Sequence, residues 1–324
     1  MEDIFKLLNK DDNTRFSSLK GCDLKDIINA LMNYEIEYRN SLNLPKKMTF
    51  GCEIEVENIT KKPEFDNNLS KWIVKPDITL EKGCEVTSPI MCDEKKCWND
   101  LRKVCSILKN QKRINFINSG GHVHVGAHIL KYDYVSLLKF LKMIINYENI
   151  LFHFSAGIDT AVRREGGTYA KPIASKLLNI VPYDDGYTYN SLINELKRMG
   201  RFLSVNFLNV KLQGVNNSDR NTIEFRMPNG TVEEVIWQNN INAFCKMLFV
   251  ATTEIDENIL NNYDNNISDS MYYYNIIDLK KSIEFVDLIF NNNLDKINFL
   301  VQYFKGFNDI YDTNASVYSK KIIK

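Results

Sequence analysis

The segment MTFGCEIEVENI (Met48 to Ile59) alternates with period two. Phe50, Cys52, Ile54 and Val56 fall on one face, and Glu53, Glu55 and Glu57 on the other. This predicts a strand with an apolar and a polar side. SKWIVKPD predicts a second strand ended by Pro76 and Asp77, and GCEVTSPI a third that carries Glu85 and ends at Pro89. GGHVHVGAH sets His122, His124 and His128 on one parity against Val123, Val125 and Ala127. NTIEFRM sets Glu224 and Arg226 against Ile223, Phe225 and Met227, and RFLSVNFLNV also reads as strand.

Helical spacing appears between these strands. LKDIINALMNYEIEYRNSL has a stripe through Leu24, Ile27, Ile28, Leu31 and Met32 that Pro45 stops. Asp93 to Leu108 predicts a helix. Tyr132 to Phe154 predicts a long one with Val135, Leu138, Leu141, Ile144 and Ile145 on its apolar side, and Ser191 to Met199 a further one. Thr231 followed by Glu234 has the spacing of a capping box for the helix carrying Val235, Ile236 and Trp237. AVRREGGTYAKP reads as a loop turning at Gly166 and Gly167, and two helical segments follow an asparagine-rich stretch after about Glu257. Short strands separated by helices predict an α+β fold whose mostly antiparallel sheet has one polar face and one helix-covered face. The expected organisation is a helical extension over 1–47, a catalytic domain over 48–256 and a C-terminal helical extension over 257–324.

Composition narrows the function classes. The 324 residues are 44% hydrophobic, enough for a sizeable core, and 41 basic residues balance 41 acidic ones. No net field steers the chain toward nucleic acid or anionic lipid, and basic residues do not cluster with the aromatics of the tail, so no nucleic-acid partner is expected. No apolar run approaches the roughly 20 residues that cross a bilayer, so no membrane partner is expected. Met1 to Lys20 show no signal-peptide core. Seven cysteines without framework spacing fit a reducing compartment, and a cytoplasmic location is expected. Cys92 and Cys97 read as ordinary thiols, since no second pair with zinc-ligand spacing lies nearby.

The polar parities carry the candidate chemistry. Three carboxylates on one strand face need a cation if the face is dry and little compensation if it is wet. Oxygen-rich sets suit Mg²⁺ or Mn²⁺, whereas imidazoles tilt a site toward Zn²⁺. Arg226, two residues from Glu224, offers a bidentate donor to phosphate or carboxylate beside such a metal, a combination suited to phosphoryl transfer. Simpler readings stand beside these: a solvated acidic strand face, to which Glu57 is assigned, hydrogen-bonded strand histidines, and a surface Glu224–Arg226 pair. His128 and His153 read as structural.

FGCEIEVE, Asp77 in WIVKPDITLEKGCEVTSPI, SGGHVHVG, RFLSVNF and NTIEFRMPNGT occur in an order that resembles the amidoligase family, which is similar to glutamine synthetase and the glutamate–cysteine ligases. The resemblance covers roughly Met48 to Asn240. It implies a glutamine synthetase-like catalytic domain and an ATP-dependent carboxylate–amine ligase working through an acyl phosphate. By the same resemblance Glu53, Glu55, Glu85, His122 and Glu224 hold Mg²⁺ or Mn²⁺ against the ATP phosphates. Arg226 neutralises the transferring phosphoryl group, and His124 lines the site near substrate or nucleotide. Asp77 orients or deprotonates the amine, Arg163 or Arg164 closes over phosphate, and Asn206 binds substrate. The implied partners are a small-molecule or peptide carboxylate and an amine. A zinc-dependent amide or ester hydrolase using His122, His124 and a glutamate, and a non-catalytic binding module on the same fold, are the alternatives.

Overall fold

The computed structural model describes residues 9–19, 27, 30–31, 34–59, 63–111, 114–116, 118–156, 169–181, 186–215, 220–261 and 276–305. Its strands are β1 (Phe50–Val56), β2 (Ile73–Asp77), β3 (Gly83–Thr87), β4 (Gly121–Gly126), β5 (Val205–Asn206) and β6 (Thr222–Phe225). They form one sheet in the order β2-β3-β1-β4-β6-β5, every neighbouring pair antiparallel. The helices are α1 (Lys95–Lys109), α2 (Tyr134–Ala156), α3 (Ala174–Leu177), α4 (Tyr189–Arg198), α5 (Glu234–Val250), α6 (Glu257–Leu260), α7 (Ile276–Ile289) and α8 (Asn293–Lys305). The α+β expectation, with one polar and one helix-covered face, agrees with this architecture.

Pairing register fixes which side chains meet. Glu55 lies opposite Glu85 and Glu53 opposite His122. His124 lies opposite Glu224, and Glu224 opposite Asn206. Directly opposed residues share a sheet face, so five strands bring their polar positions to one side. The other side is dry. Phe225 stacks on Phe244 of α5 at 4.1 Å and meets Phe140 of α2 edge-on at 6.1 Å, while Phe50 stacks on Trp98 of α1 at 5.0 Å.

Helices α7 and α8 form a further layer, with Phe299 stacked on Phe154 of α2 at 4.0 Å. Between α5 and α8 lies a buried polar seam. Asp295 accepts from Asn242 Nδ2 at 2.8 Å and pairs with Arg39 at 2.6 Å, and Asn239 Nδ2 donates to Gln302 Oε1 at 2.9 Å. Buried Lys296 pairs with Asp287 at 2.9 Å, so these charges are compensated inside the protein.

Several expectations are corrected. β2 runs through Pro76 to Asp77, because it is an edge strand and an edge proline breaks no ladder on its free side. RFLSVNFLNV yields only the two residues of β5, since Ser204 N donates to Lys171 O at 2.7 Å and the chain turns after Phe207. Thr231 forms no capping box: α5 begins at Glu234, and Thr231 Oγ1 accepts from Glu233 N at 3.1 Å. Val135 is 49% exposed, because the buried stripe of α2 passes through Leu137, Leu141 and Ile144. Residues 34–39 are not helical; Ile27 and Leu31 are helical and buried, while Leu24, Ile28 and Met32 lie outside the described residues.

Gly121 opens β4 where no side chain fits. A Cβ there would stand 2.5 Å from Cη2 of Trp237 and 3.0 Å from Asn229 O. Gly121→Ala is expected to force Trp237 or β4 to shift at about 1–3 kcal/mol. Urea unfolding checks this, and a loss below ~0.5 kcal/mol contradicts the packing described.

Candidate active site

The polar sheet face is the floor of a cavity of about 560 Å³. Glu53, Glu55, Glu85, Glu224 and Asp77 line it with His122, His124, Asn206 and Arg226, so the sheet brings together every candidate site residue it describes. Arg163 and Arg164 lie outside the described residues.

Glu53 sits at the centre. Its Oε2 is 2.7 Å from His122 Nδ1, and its Oε1 is 3.1 Å from His124 Nε2. His124 Nε2 is buried and, although close, lacks hydrogen-bond alignment to that oxygen. His122 also lies 3.6 Å from both Glu55 and Glu224. Burial alone would raise the Glu53 pKa, but the two imidazoles outweigh it and hold the carboxyl well below the usual range. Burial would likewise lower His124, and contact with Glu53 reverses that, so its pKa is raised. Glu85 goes the opposite way: burial first, and then repulsion from Glu53, raise it.

Protein donors fix the remaining carboxylates. Glu224 accepts from Asn206 Nδ2 at 2.6 Å and from Arg226 Nη1. Asn206 therefore orients Glu224. Arg226 Nε in turn donates to Tyr169 O at 3.1 Å. Glu55 accepts from Gly120 N, and Thr87 Oγ1 donates to Glu85 at 2.6 Å. Asp77 closes a turn at the edge of the sheet, accepting from Thr79 N at 2.8 Å and Thr79 Oγ1 at 2.6 Å.

Glu57 corrects the sequence reading. It is 1% exposed rather than solvated, because just past β1 it bridges to Asn115, and it accepts from Asn118 N, Asn118 Nδ2 and Glu81 N at 3.0–3.3 Å. His128 Nε2 lies 2.7 Å from Lys47 O, and His153 is buried edge-on to Tyr303; both lie away from the cavity. Cys92 and Cys97 are free thiols. Arg201, Arg220, Thr79, Asn118, Asn209 and Tyr169 also line the cavity, and sequence reasoning missed them. Arg220 had a signal, since 220, 222, 224 and 226 share one parity. Arg201 had none.

Glu53, His124 and Glu224 each offer a donor atom within 4.8 Å of the others. Converging carboxylates, an imidazole nitrogen without an aligned partner and a polar cavity fit a divalent cation such as Mn²⁺ or Mg²⁺. Among the described residues no helix is long and apolar enough to cross a membrane.

Residues 33–248 match the family model described as "Putative amidoligase enzyme", two thirds of the chain, and the protein belongs to that family. No curated protein matches the sequence. The chain is similar to a crystal structure described as a novel glutamine synthase homolog, at 10% identity and a TM-score of 0.47, over 92% of this chain and 74% of that one. The functional reading rests on the family and on the site's own geometry.

The electrostatics make a prediction for metal-free protein. A depressed Glu53 pKa stabilises the fold above its unfolded value, near 4.5, and that contribution is lost as pH falls. A raised His124 pKa stabilises below about 6.5 and is lost as pH rises through the folded value. The pair therefore contributes most between these values. In EDTA, Glu53→Gln is expected to lower the melting temperature most across pH 4.5–6.5, with the difference from wild type shrinking on either side of that window, and to lower the pKa of His124 as read by NMR. An unchanged imidazole titration contradicts the assignment.

Proposed function

We propose that the protein is an ATP-dependent carboxylate–amine ligase that forms an amide through an acyl phosphate, using Mg²⁺ or Mn²⁺. The observation that carries this reading is the convergence of Glu53, His122, His124 and Glu224 with Arg226 on one face of the sheet, in a chain of the amidoligase family.

In this reading Glu53, Glu55, Glu85, His122 and Glu224 hold the metal ions, with His124 available to the set through Nε2. Ions held there would supply positive charge against the phosphate oxygens of the nucleotide. Arg226, anchored by Tyr169 O, presents its guanidinium to the phosphoryl group. A carboxylate oxygen of the first substrate attacks the γ-phosphorus and ADP leaves. The amine then attacks the acyl carbon, phosphate departs, and the amine proton passes to a base. Asp77, which lines the cavity with Glu85, would position a cationic amine and accept that proton. Asn206 serves by fixing Glu224. The substrates are a small-molecule or peptide carboxylate and an amine, with no nucleic acid or membrane in the reaction, and the cytoplasm supplies the nucleotide. The catalytic unit is 48–256, with extensions over 1–47 and 257–324.

Glu53→Ala and Glu224→Ala are each expected to abolish ATP-dependent amide formation while leaving the circular dichroism of the fold intact. In wild type, Mg²⁺ and ATP together at ~100 times the dissociation constant should stabilise by about 2.7 kcal/mol. Both variants should lose that stabilisation. Undiminished turnover in the two variants sinks the ligase reading. Stabilisation by Zn²⁺ alone, with nucleotide-independent cleavage of an amide or ester, replaces it with a hydrolase.

A further inference from the structure

Glu148 is a carboxylate at the heart of α2, 2% exposed and far in sequence from every segment that lines the cavity. It accepts from Ile173 N at 2.8 Å through Oε1 and from Ala174 N at 2.9 Å through Oε2, and Oε1 also accepts from Ser204 Oγ. Ser204, Ile173 and Ala174 are themselves buried. Donors from two separate segments of the chain thus converge on this one buried carboxylate.

What the three donors share is Arg226. Ser204 O accepts from Arg226 N at 2.8 Å. Tyr169 O, four residues before Ile173, accepts from the guanidinium Nε. The two segments are stitched to each other as well: Lys171 N donates to Phe202 O at 2.9 Å and Ser204 N to Lys171 O at 2.7 Å, a parallel bridge between Lys171 and Leu203. Tyr169 and Ala170 from one segment and Arg201 beside the other line the cavity. Glu148 thus ties together both backbone strips that hold Arg226, by its main chain and by its side chain.

We infer that Glu148 is a positioning residue for the anion-binding side of the cavity: it clamps 169–174 to 202–204 and so aims Arg226 at a polyphosphate ligand. This rests on the nucleotide reading above for the identity of the anion, but the clamp does not. The carboxylates of β1 and the histidines of β4 are set by strand register and do not depend on Glu148.

The test has two arms. Hydrogen exchange on ligand-free Glu148→Gln should accelerate at least tenfold in 169–174 and 203–206 while β1 and β4 keep wild-type protection; unchanged exchange, or acceleration everywhere, overturns the clamp. The second arm measures binding of tripolyphosphate with Mg²⁺ to wild type, Glu148→Gln, Arg226→Ala and the double variant. If Glu148 acts through Arg226, each single variant binds about tenfold more weakly, and the double binds no more weakly than Arg226→Ala within threefold, the non-additivity expected of coupled residues. Additive losses, or wild-type affinity in Glu148→Gln, overturn the positioning role. Absence of triphosphate binding by wild type overturns the nucleotide reading and with it the assigned ligand, while the exchange arm still decides the clamp.

Discussion

The structure depends on strand register. The antiparallel pairing of β1 with β3 and β4, and of β4 with β6, sets Glu55 opposite Glu85, Glu53 opposite His122 and His124 opposite Glu224. A slip of one residue in any of these pairs would send carboxylates into the aromatic layer around Phe140, Phe225 and Phe244. The cost of burying those charges on the wrong side is what makes the register unique, so the same constraint that folds the sheet assembles the site. The repulsion that results on the polar face is offset by the imidazoles of His122 and His124 and by Arg226.

The helical layers serve that sheet. α2 and α5 cover its apolar face with packed rings, and the polar seam between α5 and α8 sets buried Asp295 against Arg39 and buried Lys296 against Asp287. The walls of the cavity are less regular. They come from the short strip after β2, the strip 169–174 and the turn after β5, each held by a few side-chain acceptors rather than by a ladder: Asp77 for the first, Glu148 for the second, Asn206 for the third. A stiff floor with walls fixed by single carboxyl and amide groups suits the proposed chemistry, in which the metal-binding set would stay fixed while two different substrates enter in turn.

The floor was legible in the sequence and the walls were not. Period two in FGCEIEVE, GHVHVG and NTIEFRM places Glu53, Glu55, His122, His124, Glu224 and Arg226 on polar parities, and the strands formed where that alternation ran. Alternation says nothing about what packs beyond a strand's end, so Glu57 read as solvated although it bridges to Asn115 just past β1 and its carboxylate accepts from Asn118 and Glu81. RFLSVNFLNV has strand composition, yet Lys171 takes the Ser204 amide that a longer ladder would need. Thr231 has capping spacing, but its hydroxyl is spent two residues ahead on Glu233. Tyr169 and Glu148 act through contacts between segments distant in sequence, Arg201 lines the cavity from a short irregular strip, and no local pattern marks them.

The central claim is that the polar face binds divalent metal together with a nucleotide. Crystals grown with Mn²⁺ and a non-hydrolysable ATP analogue, measured at the manganese absorption edge, test it most directly. The account predicts anomalous peaks bounded by Glu53, His124 and Glu224, with the analogue's phosphates between them and Arg226. Nucleotide and metal bound elsewhere on the molecule, with the sheet face filled by solvent, would contradict it.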